Sequence, residues 1–176
     1  MRHVQQVAET VIFAALYFLL TFILAPISFL LFQVRVSDAL IMLSAVLGLP
    51  AVYGVFLGCI FANLFPVGYP PNLLDVVFGS IANLVASYTV YRICYAKVNK
   101  LRVIASSFIS SSIITLIVGS YLPFIIFPNL SWRDVAWMGY AGVLPGELLA
   151  QTVIGSSLVL ALARIPRVRG SFRIKS

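Results

Sequence analysis

Hydrophobic positions in this chain do not alternate with polar ones; they run in long blocks that are apolar on every face. No Asp, Glu, Lys or Arg occurs between Glu9 and Arg35, and none from Ala39 to Leu74. A helix needs about 20 mostly apolar residues to cross a bilayer, so the first block predicts a span near 10–29. A cleaved signal peptide competes there, because Arg2 precedes the apolar run, but the apolar core of such a peptide is about 7–15 residues and this one is longer. Gly48, Leu49 and Pro50 divide the second block, since glycine and proline interrupt helices and proline opens new ones. That division predicts spans near 37–47 and 50–65. The former is too short to cross unaided, which implies a tilt or flanking re-entrant chain. Residues 66–71 hold three prolines and a glycine and predict a loop. Further spans are predicted near 72–91, 103–127 and 136–163, followed by a basic tail over 164–176. The expectation is an all-α membrane protein, a compact bundle of six transmembrane helices in one domain, with five or seven as the neighbouring counts.

Composition agrees with this pattern: 61% of the 176 residues are hydrophobic and 10% are charged, against about 45–50% and about 25% in soluble domains. The net charge of +7 alone would allow a nucleic-acid partner, but its placement argues for topology. Six helices put Arg2, Arg92, Lys97, Lys100, Arg102, Arg164, Arg167, Arg169, Arg173 and Lys175 on one side, and Arg35 and Arg133 on the other. Loops rich in Lys and Arg stay in the cytoplasm, so both termini are expected there, in the cell membrane. For the tail, contact with lipid outweighs RNA binding, and no nucleic-acid partner is expected.

Polar groups at membrane depth are costly and mark functional sites. Glu147 is expected about a third of the way into the last helix from the outer side, and Gln151 and Gly155 share its face by four-residue steps. Asp75 opens the fourth predicted helix, with Gly79 and Asn83 on its face; Asn63 ends the third; Arg35 and Asp38 flank the second. These groups could converge on one outward-facing cavity. Asp38 and Asp75 have a competing reading as helix caps, and Arg35 as an interfacial anchor or the partner of Asp38. Trp132, Trp137 and Tyr140 read as an aromatic belt. Small residues recur every four positions at Gly54, Gly58 and Ala62, at Ser107, Ser111, Thr115 and Gly119, and at Gly142, Gly146 and Ala150. Such rows let helices approach closely in lipid. Cys59 and Cys94 lie in apolar stretches, and the single histidine is His3, so neither a metal site nor a cofactor is expected. The chain has no phosphate-binding loop with Lys-Ser or Lys-Thr and no nucleophile–histidine pair. An enzyme built on two carboxylates, Asp75 and Glu147, remains a formal option, but a solute-binding protein is the expectation.

Phe32-Gln33-Val34-Arg35-Val36-Ser37-Asp38-Ala39-Leu40, preceded by Leu24-Ala25-Pro26-Ile27-Ser28, resembles the start of QueT-type proteins. These are substrate-binding (S) components of energy-coupling factor transporters, assigned to queuosine precursors. Similarity continues in Gly58-Cys59-Ile60-Phe61-Ala62-Asn63-Leu64, in Leu74-Asp75-Val76-Val77-Phe78-Gly79-Ser80-Ile81-Ala82-Asn83-Leu84, and in Gly146-Glu147-Leu148-Leu149. The resemblance implies a transmembrane coupling subunit and two cytoplasmic ATPases as partners, and a 7-deazaguanine ligand in an outward-facing pocket. It points to Glu147 and Asp75 as the carboxylates for the ligand's donor edge or its aminomethyl cation, with Asn63 and Gln151 completing the base edge and Arg35 with Asp38 ordering the lid-like first loop. Members often carry Ala-x-x-x-Ala in the first helix to meet the coupling subunit. Here Val11 and Ala15 stand at that pair, with Thr10 and Ala14 as a second small pair. A serine-rich face replaces an expected asparagine in the fifth helix, and the loop 127–134 is longer than usual. An S component for another heterocyclic vitamin and a standalone ion-coupled carrier are the alternatives.

Overall fold

The computed structural model describes residues 2–29, 33–68, 70–127, 129 and 131–165; Phe32 and most of the basic tail lie outside them. The described residues form helices and no strands. The main elements are α1 (Arg2–Ile23), α2 (Val36–Leu47), α3 (Leu49–Leu64), α4 (Asp75–Cys94), α5 (Lys100–Ile126) and α6 (Trp132–Leu162). A single turn, Ala25–Ser28, follows α1. Four elements, α1, α4, α5 and α6, are long and apolar enough to cross a membrane, and α2 and α3 are shorter.

Local chemistry sets the boundaries. α1 starts at Arg2 and stops at Ile23, not at 10–29, because the polar residues before Thr10 are good helix formers while Pro26 lacks an N–H and its ring would clash inside a continuous helix, so it sits in the first turn of the separate Ala25–Ser28 helix. The α2–α3 elbow is Gly48 at φ +73°, a left-handed conformation that glycine adopts without penalty, and Pro50 lies in the first turn beyond it. Asn99 caps α5 by accepting from the Arg102 N–H at 2.8 Å. Ser131 caps α6, accepting from Asp134 N at 3.4 Å and donating to its carboxylate at 2.6 Å. Most of α2 is a tight three-residue-per-turn helix, Val36–Leu43. Two stretches, Asp75–Gly79 and Leu148–Gly155, are wound with π-type i to i+5 bonding.

Contacts between helices fix their directions. Gly54 lies on Thr10 and Ala14, and Gly58 on Ala14 and Tyr17, so α1 and α3 run parallel. Asp75 meets Tyr121 while Cys94 meets Ser106, so α4 and α5 are antiparallel. Gly119 abuts Gly139 and Ser107 bonds Thr152, which makes α5 and α6 antiparallel. Gly146 lies on Gln33 and Gly155 on Ala39 and Met42, so α2 and α6 run parallel. Asn63 bonds the Asp75 carbonyl while Leu49 and Tyr53 face Tyr91 and Tyr95, which makes α3 and α4 antiparallel, so the six elements alternate in direction. Arg92, Lys97, Lys100, Arg102 and Arg164 gather at one end of the bundle; Arg35, Asn63, Asp75 and the start of α6 lie toward the other. Glycine rows make the close approaches: a Cβ on Gly139 would lie 1.9 Å from the Gly119 carbonyl oxygen. In lipid such packing, rather than expulsion of water, drives association.

The candidate solute site

Two polar groupings occupy the end of the bundle away from the lysines. The first lines a cavity of about 430 Å³ formed by Phe29 and Gln33, the loop prolines Pro66, Pro70 and Pro71, and α3, α4 and α5. Its polar wall is Asn63, Asn72, Asp75 and Gln33. Asp75 accepts a hydrogen bond from the Tyr121 hydroxyl at 2.7 Å. Asn63, 1% exposed, donates through Nδ2 to the Asp75 backbone carbonyl at 2.9 Å, while its Oδ1 has no partner. Gly79 leaves room for this wall: a Cβ there would lie 3.0 Å from Asn63 Nδ2, 3.2 Å from the Tyr121 hydroxyl and 3.4 Å from Asp75 Oδ1. The helix cap at this point is Asn72, which accepts from Leu74 N at 2.9 Å. Asp75 is therefore turned to Tyr121 and the cavity rather than spent on capping.

A second grouping lies deeper and does not line the cavity. The Tyr17 hydroxyl donates to Asp38 Oδ1 at 2.6 Å, and Asn83 Nδ2 contacts the same carboxylate at 3.0 Å and the Tyr17 oxygen at 2.7 Å. The carboxyls of Glu147 and Asp38 are neighbours in this network. Gln151 donates to Glu147 Oε2 at 2.7 Å and accepts from Ser110. Thr21 and Ser37 extend the network through a 2.7 Å hydroxyl pair. Every one of these side chains is buried. Glu147 stands midway along α6, because that helix starts at Trp132 and not near 136; the expected third of the way becomes half. The π-wound turn begins directly after Glu147, a distortion found often at functional sites.

Arg35 lies between the two groupings, 5% exposed. Its guanidinium carbon is 5.3 Å from the Phe29 ring centroid, its Nη1 is 3.9 Å from Cys59 Sγ, and its Nε has no partner. Cys59 Sγ also receives Asn63 Nδ2 at 3.5 Å, so one buried thiol touches both sides of the arrangement. The Asp38 side chain is held by Tyr17 and Asn83; its link to Arg35 is through backbone, Asp38 N to Arg35 O at 2.9 Å.

Of the expected site residues, Asn63 and Asp75 line the cavity, and Asp38, Asn83, Glu147 and Gln151 join the buried network. Tyr17, Gln33, Ser110 and Tyr121 were not expected in either. The spacing Thr10, Tyr17, Thr21 on α1 is the signal that could have revealed Tyr17, since seven- and four-residue steps share a helix face. Thr10 and Ala14 press on α3 inside the bundle, whereas Val11 and Ala15 are exposed. Trp132 and Trp137 are exposed at the start of α6, but Tyr140 turns toward α5, its hydroxyl 3.1 Å from Ser120 Oγ. Among the described residues no cluster of three or more side chains is arranged to hold a metal ion.

Comparison with known proteins gives one family. The family model described as QueT transporter matches residues 7–164, and the chain belongs to that family. It is thus a multi-pass membrane protein of the transporter class. Neither the curated proteins nor the solved structures give a match.

Proposed function

We propose that this member of the QueT transporter family is the substrate-binding component of an ATP-driven importer of the energy-coupling factor type, taking a 7-deazaguanine queuosine precursor into the cavity between α3, α4 and α5. The observation that carries the reading is the polar cavity wall of Asp75, Asn63, Asn72 and Gln33, with the Asp75 carboxylate as its charged acceptor. A guanine-like edge presents a ring N–H and an exocyclic amine, donors that a carboxylate and an amide oxygen accept. Charge-assisted bonds of this kind are about twice as strong as neutral ones. The volume falls in the range of small-molecule sites, roughly 300–1,000 Å³. Glu147, Gln151, Asp38 and Asn83 then support the site from below, with Arg35 buried between the two groupings.

In this reading all six elements cross the membrane, α2 and α3 as short spans. The lysine-rich end and both termini are cytoplasmic, and the cavity faces outward. Two cytoplasmic ATPases and a transmembrane coupling protein supply the energy. The exposed face of α1, with Val11 and Ala15 beside an apolar groove completed by Ala14, Phe18, Phe61 and Phe65, is the docking surface for the coupling protein. The test is thermal stabilisation of the purified protein by 7-deazaguanine precursors, guanine and a set of vitamins. A ligand at 100 times its Kd adds about 2.7 kcal/mol. A shift with a deazaguanine that Asp75→Asn removes supports the reading; a shift only with an unrelated vitamin overturns the substrate. A second reading, a standalone ion-coupled carrier, is favoured by the buried Glu147–Asp38 carboxyl pair. Uptake that survives loss of the ATPases and stops with an uncoupler would select it.

A further inference from the structure

The opposite end of the bundle carries a second cleft, unconnected with the solute cavity. Leu49 and Tyr53 of α3 form one wall, and Tyr88, Tyr91, Arg92 and Tyr95 of α4 form the other, around about 420 Å³. The tyrosine rings meet in series at a tilt, with ring centroids 5.8 Å apart for Tyr88–Tyr91 and 5.0 Å for Tyr91–Tyr95. The end of the series is anchored at the α2–α3 elbow: the hydrogen-only side of Gly48 admits the Tyr95 ring, whose Cε2 would lie 2.8 Å from a Cβ there. Arg92 leans on Tyr88, its guanidinium carbon 5.9 Å from the ring centroid and Nη1 donating to the hydroxyl at 3.2 Å. The remaining guanidinium N–H groups, and the hydroxyls of Tyr53, Tyr91 and Tyr95, make no hydrogen bond to other described residues.

Basic charge prevails at this end, where Glu9 of α1, bonded by Gln5 at 2.9 Å, is the acid among the described residues. Arg92, Lys97, Lys100 and Arg102 follow one another, and no Asp or Glu occurs between Asp75 and Asp134. We propose that the α3–α4 cleft is a binding site for the phosphate headgroup of an anionic phospholipid, with Arg92 on the phosphate and tyrosine hydroxyls as further donors. A planar guanidinium matches phosphate geometry, and Arg is favoured wherever that recognition matters. Phenol rings with an apolar body and a polar tip sit at the headgroup level of a bilayer. Leu49 and the ring faces then meet the first methylenes of the acyl chains, which a soluble phosphate lacks. A tyrosine-lined cleft also suits a choline cation, but the guanidinium inside this one opposes a cation.

The experiment uses the full chain in detergent micelles, titrated with phosphatidylglycerol, phosphatidylcholine or inorganic phosphate, and reads the unfolding midpoint and lipid retention by native mass spectrometry. Phosphatidylglycerol raises the midpoint of the wild type and stays bound. Arg92→Gln requires about tenfold more of it, about 1.4 kcal/mol, while Arg102→Gln, equal in charge but outside the cleft, behaves as wild type. Arg92 is exposed, and unchanged midpoints without lipid show that the variants fold. Equal losses in both variants would mean diffuse attraction, an equal response to phosphatidylcholine would mean no charge selection, and competition by millimolar inorganic phosphate would mean a free-anion site. Any of these three overturns the proposal. None bears on deazaguanine binding at the other end, which is read separately.

Discussion

Gly79→Ala separates the cavity wall from the rest of the fold. Gly79 has ordinary helical angles, φ −62° and ψ −44°, so alanine there gains about 0.5–1 kcal/mol of helix propensity. Against this stands crowding: the new methyl would lie 3.0 Å from Asn63 Nδ2 and 3.2 Å from the Tyr121 hydroxyl. Both are ends of side chains that can give by a few tenths of an ångström, so the two effects nearly cancel. Net stability changes by less than about 1 kcal/mol, and the midpoint by less than about 4 °C for a chain of this size. Binding does not escape. The displaced amide strains its 2.9 Å bond to the Asp75 carbonyl and, with the shifted Tyr121 hydroxyl, moves the Asp75 carboxylate off the position it offers a ligand. Loss of one such bond, about 1–1.5 kcal/mol, weakens deazaguanine binding about tenfold. Calorimetric titration and a melting curve on the same preparation read both quantities. Full affinity at an unchanged midpoint would refute the placement of the ligand on this wall. A collapse of the midpoint would refute the claim that only flexible ends are touched.

Other substitutions address packing and the deeper network. Tyr17→Phe removes a hydroxyl that donates to Asp38 at 2.6 Å and accepts from Asn83 at 2.7 Å. Interhelical hydrogen bonds in membranes average about 0.6 kcal/mol and reach about 1.7, and a carboxylate acceptor places this one at the upper end. The midpoint should fall by about 3–7 °C, and no change would mean that the network contributes nothing to stability. Gly139→Ala drives a methyl into the Gly119 backbone, where nothing can rotate away, and should cost about 1–3 kcal/mol. Gly119→Ala meets mainly the Tyr140 ring at 2.8 Å and should cost less; the order of the two melting midpoints checks the geometry.

Much of the helical framework was legible because lipid imposes a simple demand, long uncharged apolar runs, and because Gly48 and Pro50 punctuate one of them. What hydropathy does not encode is backbone continuity. It extended the first helix to Phe29 across Pro26, and it began the last helix too late because Trp132, Arg133 and Asp134 are polar or interfacial yet helical behind the Ser131 cap. That start put Glu147 about a third of the way along a helix in which it stands midway. Spacing placed Glu147 and Gln151 on one face, where they bond, but it cannot say which helix stands opposite. Asp38 and Asp75 each look like a cap from sequence, and only the arrival of Tyr17 from α1 and Tyr121 from α5 assigns their carboxylates. Tyrosine in an apolar helix reads as an interfacial anchor, so both partners were overlooked.

On the proposed reading, charge inside the bundle bears on which precursor fits. The two polar groupings contain three carboxyls, Asp38, Asp75 and Glu147, and one guanidinium, Arg35. Acidic groups there outnumber the one cation. In a low-dielectric interior such an excess is costly unless a positive ligand offsets it. An aminomethyl-bearing deazaguanine brings that charge and a neutral nitrile-bearing analogue does not. Asp75 is the acid on the cavity wall and its neighbours there, Asn63, Asn72 and Gln33, are uncharged, so the ammonium group is expected near it. The aminomethyl compound should therefore bind about tenfold or more tightly than the nitrile, about 1.4 kcal/mol or more, and Asp75→Asn should erase most of the difference while leaving nitrile binding less affected. Competition titrations of the two compounds on both proteins measure it. Equal affinities on the wild type would mean that Arg35 already balances the wall, and the electrostatic argument would fail while the cavity assignment stood.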